Sequence, residues 1–339
     1  MRFEDALKLY DLELFDLGEK ANKIRREYHG NKVFYNRNRH INPTNICADR
    51  CMFCGFSAHR KNPNSYTMSI DEIVQIAVDA KMRGAKEVHI VGAHNRNLGL
   101  EWYFDMFRAV KKAVPDIHLK AMTAAEVEFL ARAYKMSFDY ILDMMIESGV
   151  DSMPGGGAEI FNENLRRKIC GGKVKSADWL TIHKLWHKRG RKSNASMLFG
   201  HVENREHRVD HLLRLRLLQE KTSGFNAFIP LLYQTKNNFL EIDRALDAEE
   251  ILKTIAISRI VLNNIPHIKA YWVGLTLNLA IVAQEFGADD VDGTIERESI
   301  NSAAGAESAS GVSEKSMRDL IANAGFVPIE RDSMYNEVL

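Results

Sequence analysis

The sequence predicts an α/β protein built as a (βα)8 TIM-like barrel, with an N-terminal helical cap and a C-terminal helical extension. Three observations carry that prediction. First, a helix closed by glycine, one or two further residues and then an apolar run recur along the chain. This happens at Gly84-Ala-Lys-Glu-Val-His-Ile-Val, Gly149-Val-Asp-Ser-Met, Gly190-Arg-Lys-Ser-Asn-Ala-Ser-Met-Leu-Phe and Gly287-Ala-Asp-Asp-Val-Asp. Glycine supplies the left-handed cap, and a buried strand follows it. Second, helix starts are marked by Ser69-Ile-Asp-Glu72 and Thr123-Ala-Ala-Glu126, with Asp247 and Glu250 similarly spaced. In this pattern the first and fourth residues satisfy each other's backbone N–H groups. Third, apolar residues between these signals return at helical spacing, as in Ile73, Ile76, Ala77 and Ala80.

Strands are expected at 39–46, 87–91, 118–122, 150–153, 193–198, 226–232, 268–273 and 290–294. Strands alternating with helices imply right-handed βαβ units and a parallel sheet. Eight such units favour a barrel over an open sheet, and a barrel of this kind carries its active site at the C-terminal ends of its strands. Residues 1–38 are read as the helical cap, 39–310 as the barrel, and 311–339 as an extension packed on it. The extension contains one more helix, over 314–323, ended by Gly325.

Composition narrows the function classes. The chain has 339 residues, 45% hydrophobic and 27% charged, as in an ordinary globular protein. Lys and Arg number 46 against 45 Asp and Glu, so there is no global field to attract nucleic acid. The basic stretch 205–216 alternates with Leu and Val and reads as the wet face of a helix. The N-terminus lacks the basic start and apolar run of an export signal. The most apolar stretch, 270–283, is too short to span a bilayer, which needs about 20 residues. It reads as a buried strand followed by a helix. A cytoplasmic protein with no membrane partner is expected.

Only four cysteines occur, and three of them form Cys47-Ala-Asp-Arg-Cys51-Met-Phe-Cys54. A disulfide scaffold would spread its cysteines, so this cluster points to metal ligation or redox chemistry. The C-x3-C-x2-C loop follows the first expected strand, on the expected active face. Three thiolates at this spacing can hold three irons of a [4Fe–4S] cube and leave the fourth without a protein ligand. A structural zinc site would need a fourth ligand, for which His59 and Cys170 are the candidates, and normally two separated pairs. An electron-carrying cluster or redox sensor would want a fourth cysteine nearby. Cys170 is distant in sequence and also fits a small buried apolar residue near a helix end.

C-x3-C-x-aromatic-C, with Phe53 in the aromatic position, resembles the signature of the radical S-adenosylmethionine (SAM) superfamily. The resemblance implies a [4Fe–4S] cluster on Cys47, Cys51 and Cys54, and SAM chelated at its open iron. It also implies a 5′-deoxyadenosyl radical made on reduction, and a reducing donor such as flavodoxin or ferredoxin. Further stretches resemble the branch that holds the futalosine enzymes of menaquinone biosynthesis and the deazaflavin synthase subunits. These are His40-Ile-Asn-Pro-Thr-Asn-Ile-Cys47, Phe53-Cys-Gly-Phe-Ser-Ala-His-Arg-Lys-Asn-Pro63, Ser152-Met-Pro-Gly-Gly-Gly-Ala-Glu159, Ser193-Asn-Ala-Ser-Met-Leu-Phe-Gly-His-Val-Glu203 and Gly287-Ala-Asp-Asp-Val-Asp-Gly-Thr294. With Arg167-Lys-Ile-Cys-Gly-Gly-Lys173, they most resemble the aminofutalosine synthases, and next the dehypoxanthine futalosine cyclases. The first resemblance implies a transferase that uses SAM as cosubstrate. Its small-molecule substrate is an aryl enolpyruvyl ether, 3-[(1-carboxyvinyl)oxy]benzoate, and its product is 6-amino-6-deoxyfutalosine.

Other site residues are weighed by position. Glu159 ends the fourth expected strand after three glycines, where the backbone can approach a ligand closely. It could bind the ribose hydroxyls or amino group of SAM, or serve only a helix dipole. His94 and Asn95 follow the second strand, where the family places a Gly-rich turn against the methionine of SAM; here that turn is Gly92-Ala93. His201 follows the fifth strand and could bind substrate carboxylate or donate a proton. Arginine and lysine clamp carboxylates, so Arg60, Lys61 and Arg96, with Tyr66, are candidates on the active-face loops.

Overall fold

The computed structural model describes residues 1–242, 245–295, 299–306 and 311–338. Among the described residues, nine short strands carry the fold: β1 (Lys32–Asn36), β2 (Asn38–Ile41), β3 (Glu87–Ile90), β4 (His118–Ala121), β5 (Ser193–Phe199), β6 (Phe225–Leu232), β7 (His267–Ile268), β8 (Asp290–Gly293) and β9 (Val327–Glu330). All ladders are parallel: β2 pairs with β3, β3 with β4, β5 with β6, β6 with β7, and β1 with both β8 and β9. Isolated bridges link Lys120 to Ser152, Met153 to Ser193 and Lys269 to Asp290. Because β1 runs into β2 through Arg37, these pairings pass round eight strand positions in a TIM-barrel-like order.

Helices connect the strands; some bury one stripe, whereas Ala124–Tyr134 and Ala248–Val261 are buried on most sides. Helix Ile70–Met82 starts at a capping box on Ser69 and Glu72 and turns Ile73, Ala77 and Ala80 inward. Helix Ala124–Tyr134 has the same box on Thr123 and Glu126. Asp247 caps helix Ala248–Val261 through the Glu250 N–H. Burying one Ile side chain in such a stripe contributes about 1.5–3 kcal/mol. Among the described residues, no helix is long and apolar enough to cross a membrane.

Three strand expectations are corrected. The first barrel strand runs from Lys32 to Ile41, not over 39–46, so residues 32–38 belong to the sheet and not to the helical cap. Beyond Ile41, Pro43 has no N–H for a ladder, and Asn42, Thr44 and Asn45 spend their side chains on loop carbonyls. The 150–153 strand is reduced to two isolated bridges. The 268–273 run stops as a strand at Ile268, and Trp272–Leu275 turns as helix, with Trp272 Nε1 donating to the Gly293 carbonyl at 2.8 Å. A short apolar run does not distinguish strand from buried helix. The C-terminal helix is Glu314–Asn323 as expected, and the segment after it adds β9 beside β1. The expected barrel boundary at Ser310 lies outside the described residues.

Charged pairs occupy the barrel interior below the strand ends. Lys120 meets Glu87 at 2.6 Å, Lys269 meets Asp292 at 3.0 Å, and Arg331 meets Asp290 at 2.6 Å. Arg331 thereby fastens the C-terminal segment to β8. Three bases against three acids leave this layer balanced, as buried charges must be.

Candidate active site

The loop 47–54 sits at the C-terminal end of β2, where the barrel opens. It is held from several sides before any ligand is considered. The Ala48 N–H donates to the His94 carbonyl at 2.8 Å, and His94 Nδ1 meets Asp49 Oδ2 at 2.7 Å. His94 in turn lies flat on Phe129, with ring centroids 4.7 Å apart. The Met52 N–H donates to the Ile169 carbonyl at 2.8 Å, and the Phe239 N–H donates to the Met52 carbonyl at 2.6 Å. Gly55 has no room for a side chain, since a Cβ there would stand 2.6 Å from the Ala303 carbonyl oxygen.

Cys47, Cys51 and Cys54 are free thiols bordering one cavity, together with Phe53, His94 and Glu159. Burial pushes the Cys51 thiol well up and the Cys47 thiol up. This donor set fits an iron–sulfur cube: three soft ligands from one preordered loop face a single opening, with a cation beside them. The cation is Lys173, 2.6 Å from Glu159 Oε1 and 5.7 Å from the centre of the Phe53 ring. Burial works to lower the Lys173 ammonium, but Glu159, Cys51 and Cys170 outweigh it and hold it well above the usual lysine value. Burial likewise works to raise the Glu159 carboxyl, and Lys173 overcomes it and keeps the group ionised.

The glycines before Glu159 have a steric cause. A Cβ on Gly155 would lie 2.6 Å from the Ala195 carbonyl carbon, and Gly157 has φ +87° with Ala125 against it. Glu159 itself has φ 46°, and Met122 and Asp292 are also at positive φ (56° and 73°). Such backbone persists only where its surroundings enforce it, and it concentrates at functional sites. The turn after β3 is fixed in the same way. Glu126, which already accepts from the Thr123 N–H and hydroxyl in its capping box, accepts a third hydrogen bond from the Gly92 N–H at 3.0 Å.

Asn95 is buried beside this turn but does not border the cavity; its Nδ2 donates to Thr44 and Thr67 hydroxyls, both at 3.2 Å. His201 is also outside the cavity lining. Its Nδ1 lies 3.3 Å from Glu203, which Arg208 holds at 2.7 Å, and its Nε2 meets the Leu198 carbonyl. That places it in a buried ion cluster behind β5. Arg60, Lys61, Arg96 and His59 are exposed and do not border the cavity, and Tyr66 packs its hydroxyl on the Asn42 carbonyl. Cys170 is buried, with its thiol pushed up to about 11 by burial.

Sequence reasoning missed Asp49, Lys173 as the partner of Glu159, and the polar cavity floor. His40, His89, Asn194, Ser196 and Asp292 form that floor. Burial draws His89 down to about 3, so it is neutral near pH 7. The signal for Asp49 and Lys173 was their place in motifs already singled out; the floor residues sit inside strands and gave none.

A family model described as the radical SAM superfamily matches residues 41–215, and one described as the CofH/MqnC C-terminal region matches 222–338. The chain is 38% identical to an aminodeoxyfutalosine synthase of Thermus thermophilus, covering 100% of this chain and 92% of the other. It is 37% identical to a 5-amino-6-(D-ribitylamino)uracil–L-tyrosine 4-hydroxyphenyl transferase of Methanocaldococcus jannaschii, covering 98% and 95%. Its fold is similar to that of methylornithine synthase, with a TM-score of 0.77 at 18% identity, covering 96% and 94%.

Proposed function

We propose that this chain, which belongs to the radical SAM superfamily, is an aminodeoxyfutalosine synthase. It is a radical SAM enzyme of transferase type, and the family's cofactors are a [4Fe–4S] cluster and SAM. The finer reading is that it joins the adenosyl group of SAM to 3-[(1-carboxyvinyl)oxy]benzoate, giving 6-amino-6-deoxyfutalosine. The observation that supports it is the 38% identity, along the whole chain, to the Thermus thermophilus enzyme of that name.

Cys47, Cys51 and Cys54 would hold the cluster by three of its irons. When bound, the cluster and SAM supply a 5′-deoxyadenosyl radical. The chain's own residues bind, orient and exclude water. Glu159, kept ionised by Lys173, accepts hydrogen bonds from ribose hydroxyls. The glycines before it let the adenosyl group approach the backbone. Ile229, Leu231 and Tyr271 give the wall an apolar surface that shields a carbon radical from solvent. His40, His89 and Asn194 on the floor orient the polar ends of the second substrate.

A second reading is favoured by the match of residues 222–338 to the CofH/MqnC region and by the archaeal relatives. It takes either L-tyrosine with 5-amino-6-(D-ribitylamino)uracil, or dehypoxanthine futalosine. The test uses anaerobically reconstituted, dithionite-reduced protein with SAM, given each substrate set in turn, with products read by mass spectrometry. An adenosyl adduct from the enolpyruvyl ether is expected. Turnover of only another set would replace the synthase reading and leave the family assignment standing.

A further inference from the structure

We infer that a second metal site lies at the end of the barrel opposite the cysteine loop, where His29, His267 and Asp289 bind a divalent ion of the zinc class. The inference rests neither on the cluster nor on the identity of the second substrate. Three stretches far apart in the chain supply the donors. His29 is the last residue of helix Leu14–His29, His267 opens β7, and Asp289 immediately precedes β8. All three therefore stand at the N-terminal ends of barrel strands, since β1 begins shortly after His29. One nitrogen of each ring and a carboxylate oxygen all lie within 4.8 Å of one another. Asp289 Oδ2 is 2.5 Å from His267 Nδ1 and 3.5 Å from His29 Nε2. The two imidazoles are stacked 18° from parallel, with centroids 4.6 Å apart, and both meet that same oxygen. Donors of a tetrahedral zinc ion, each about 2.0–2.2 Å from it, are about 3.3 Å from one another. The His29 pair already has that spacing. The His267 pair must open by about 0.8 Å as its hydrogen bond is exchanged for bonds to the ion.

The carboxylate is oriented for this role. Its other oxygen, Oδ1, accepts from the Ile268 N–H at 2.8 Å and from Arg259. That leaves Oδ2 to the histidines, and carboxylates that bind metals are anchored by outer hydrogen bonds of this kind. The Pro266 carbonyl stands 2.8 Å from His29 Nε2 and offers a fourth oxygen, the alternative being water. Aromatic rings wall the site. Phe34 sets its edge 5.4 Å from His29 and 5.2 Å from His267, and Tyr335 lies flat on His267 at 3.6 Å. An apolar shell controls solvent access to the donors. The His29 and His267 side chains keep 10% and 9% of their surface, which gives an ion a narrow way in.

Two histidines and one carboxylate are the donor set of zinc and ferrous sites that keep a coordination position open. Arg259 opposes a dication, so the ion exchanges with solution and is not held permanently. Residues at this face of a barrel serve stability and not catalysis. The ion ties the N-terminal helix to β7 and β8, beside the seam where β1 pairs with β8.

The test dialyses the cluster-loaded protein against buffered free zinc and counts zinc, iron and sulfide. One zinc per chain is expected in addition to the iron of the cluster. The melting temperature should rise with free zinc, because only the folded chain gathers the three donors. His29→Gln should lose both the zinc and the rise, with iron, sulfide and dithionite-driven SAM cleavage unchanged. X-ray absorption at the zinc edge of the native protein needs no variant, in case the substitution impairs folding. Nitrogen and oxygen neighbours at about 2.0–2.2 Å are expected, whereas sulfur at about 2.3 Å would put the zinc on cysteines and overturn the inference. So would a native protein that binds no zinc, or a His29→Gln protein that retains it. Zinc is counted without turnover of a second substrate, so failure of the synthase reading leaves this result standing.

Discussion

Replacing Lys173 by methionine should destabilise the cluster-free protein by about 3 kcal/mol near pH 8, because it strands a carboxylate in the barrel wall. The two charges are 2.6 Å apart, on side chains 18% and 9% exposed. At an effective dielectric of about 20, unit charges about 4 Å apart attract by about 4 kcal/mol, and removing one partner of a buried pair costs about 3–5 kcal/mol. Proton uptake by Glu159 limits the loss. In the native protein Lys173 holds the Glu159 carboxyl low, so its stabilisation is present above the unfolded carboxyl value and fades as acid protonates it. In the variant only burial acts strongly, and the carboxyl rises above its unfolded value. The penalty is then full at high pH and shrinks as pH falls through that raised value. Urea unfolding of native, Lys173→Met, Glu159→Gln and double-variant proteins, from about pH 8 to pH 5.5, measures this. The double variant should recover most of the loss, with a coupling energy of at least about 2 kcal/mol. A coupling below about 0.5 kcal/mol, or a gap that is flat with pH, would refute the assignment of Lys173 as the counter-charge of Glu159.

Three other outcomes are expected. Alanine at Cys47, Cys51 or Cys54 should abolish the absorption near about 400 nm and the bound iron and sulfide after reconstitution, whereas Cys170→Ala should keep both; loss of iron in the Cys170 variant would make it a ligand. Burial holds His89 and His187 down to about 3, and His183 and His211 well below the usual histidine value. These groups stay neutral in the fold while the unfolded chain takes up protons below about pH 6.5. Stability should therefore fall as pH drops through that window, by about 2 kcal/mol for each of His89 and His187 by pH 5; a melting temperature unchanged between pH 7 and 5 would contradict it. Gly155→Ala forces a Cβ to within 2.6 Å of the Ala195 backbone. It should cost about 1–3 kcal/mol and weaken SAM binding in equilibrium dialysis, and native affinity in that variant would show that the glycine is not there for close approach.

Much of the site was legible because its residues form contiguous motifs. The cysteine loop, Phe53, His94 and Glu159 all border the cavity and were all singled out from local patterns. His201 and Asn95 were chosen by the same strand-end rule yet sit behind the wall, in a Glu203–Arg208 cluster and a threonine pair. Being next to a strand end does not fix which way a side chain points. Arg60, Lys61 and Arg96 show the same limit: their charge suits a carboxylate, but they face solvent.

The fold divides along similar lines. Helix starts at Ser69 and Thr123, the C-terminal helix over 314–323 and most strand positions followed from periodicity and capping, since hydrogen bonds within a few residues decide them. What the sequence by itself determined was the order of βα units, the three-thiolate loop, and the glycines that make room beside it. Tertiary structure alone decided where the first strand begins, that β9 lies beside β1, that Lys173 and not Arg60 faces the ligand wall, and that Asp292 reaches the cavity floor. Those outcomes depend on contacts between residues far apart in the chain. Burial and charge balance settle them, and neither quantity exists until the barrel has formed.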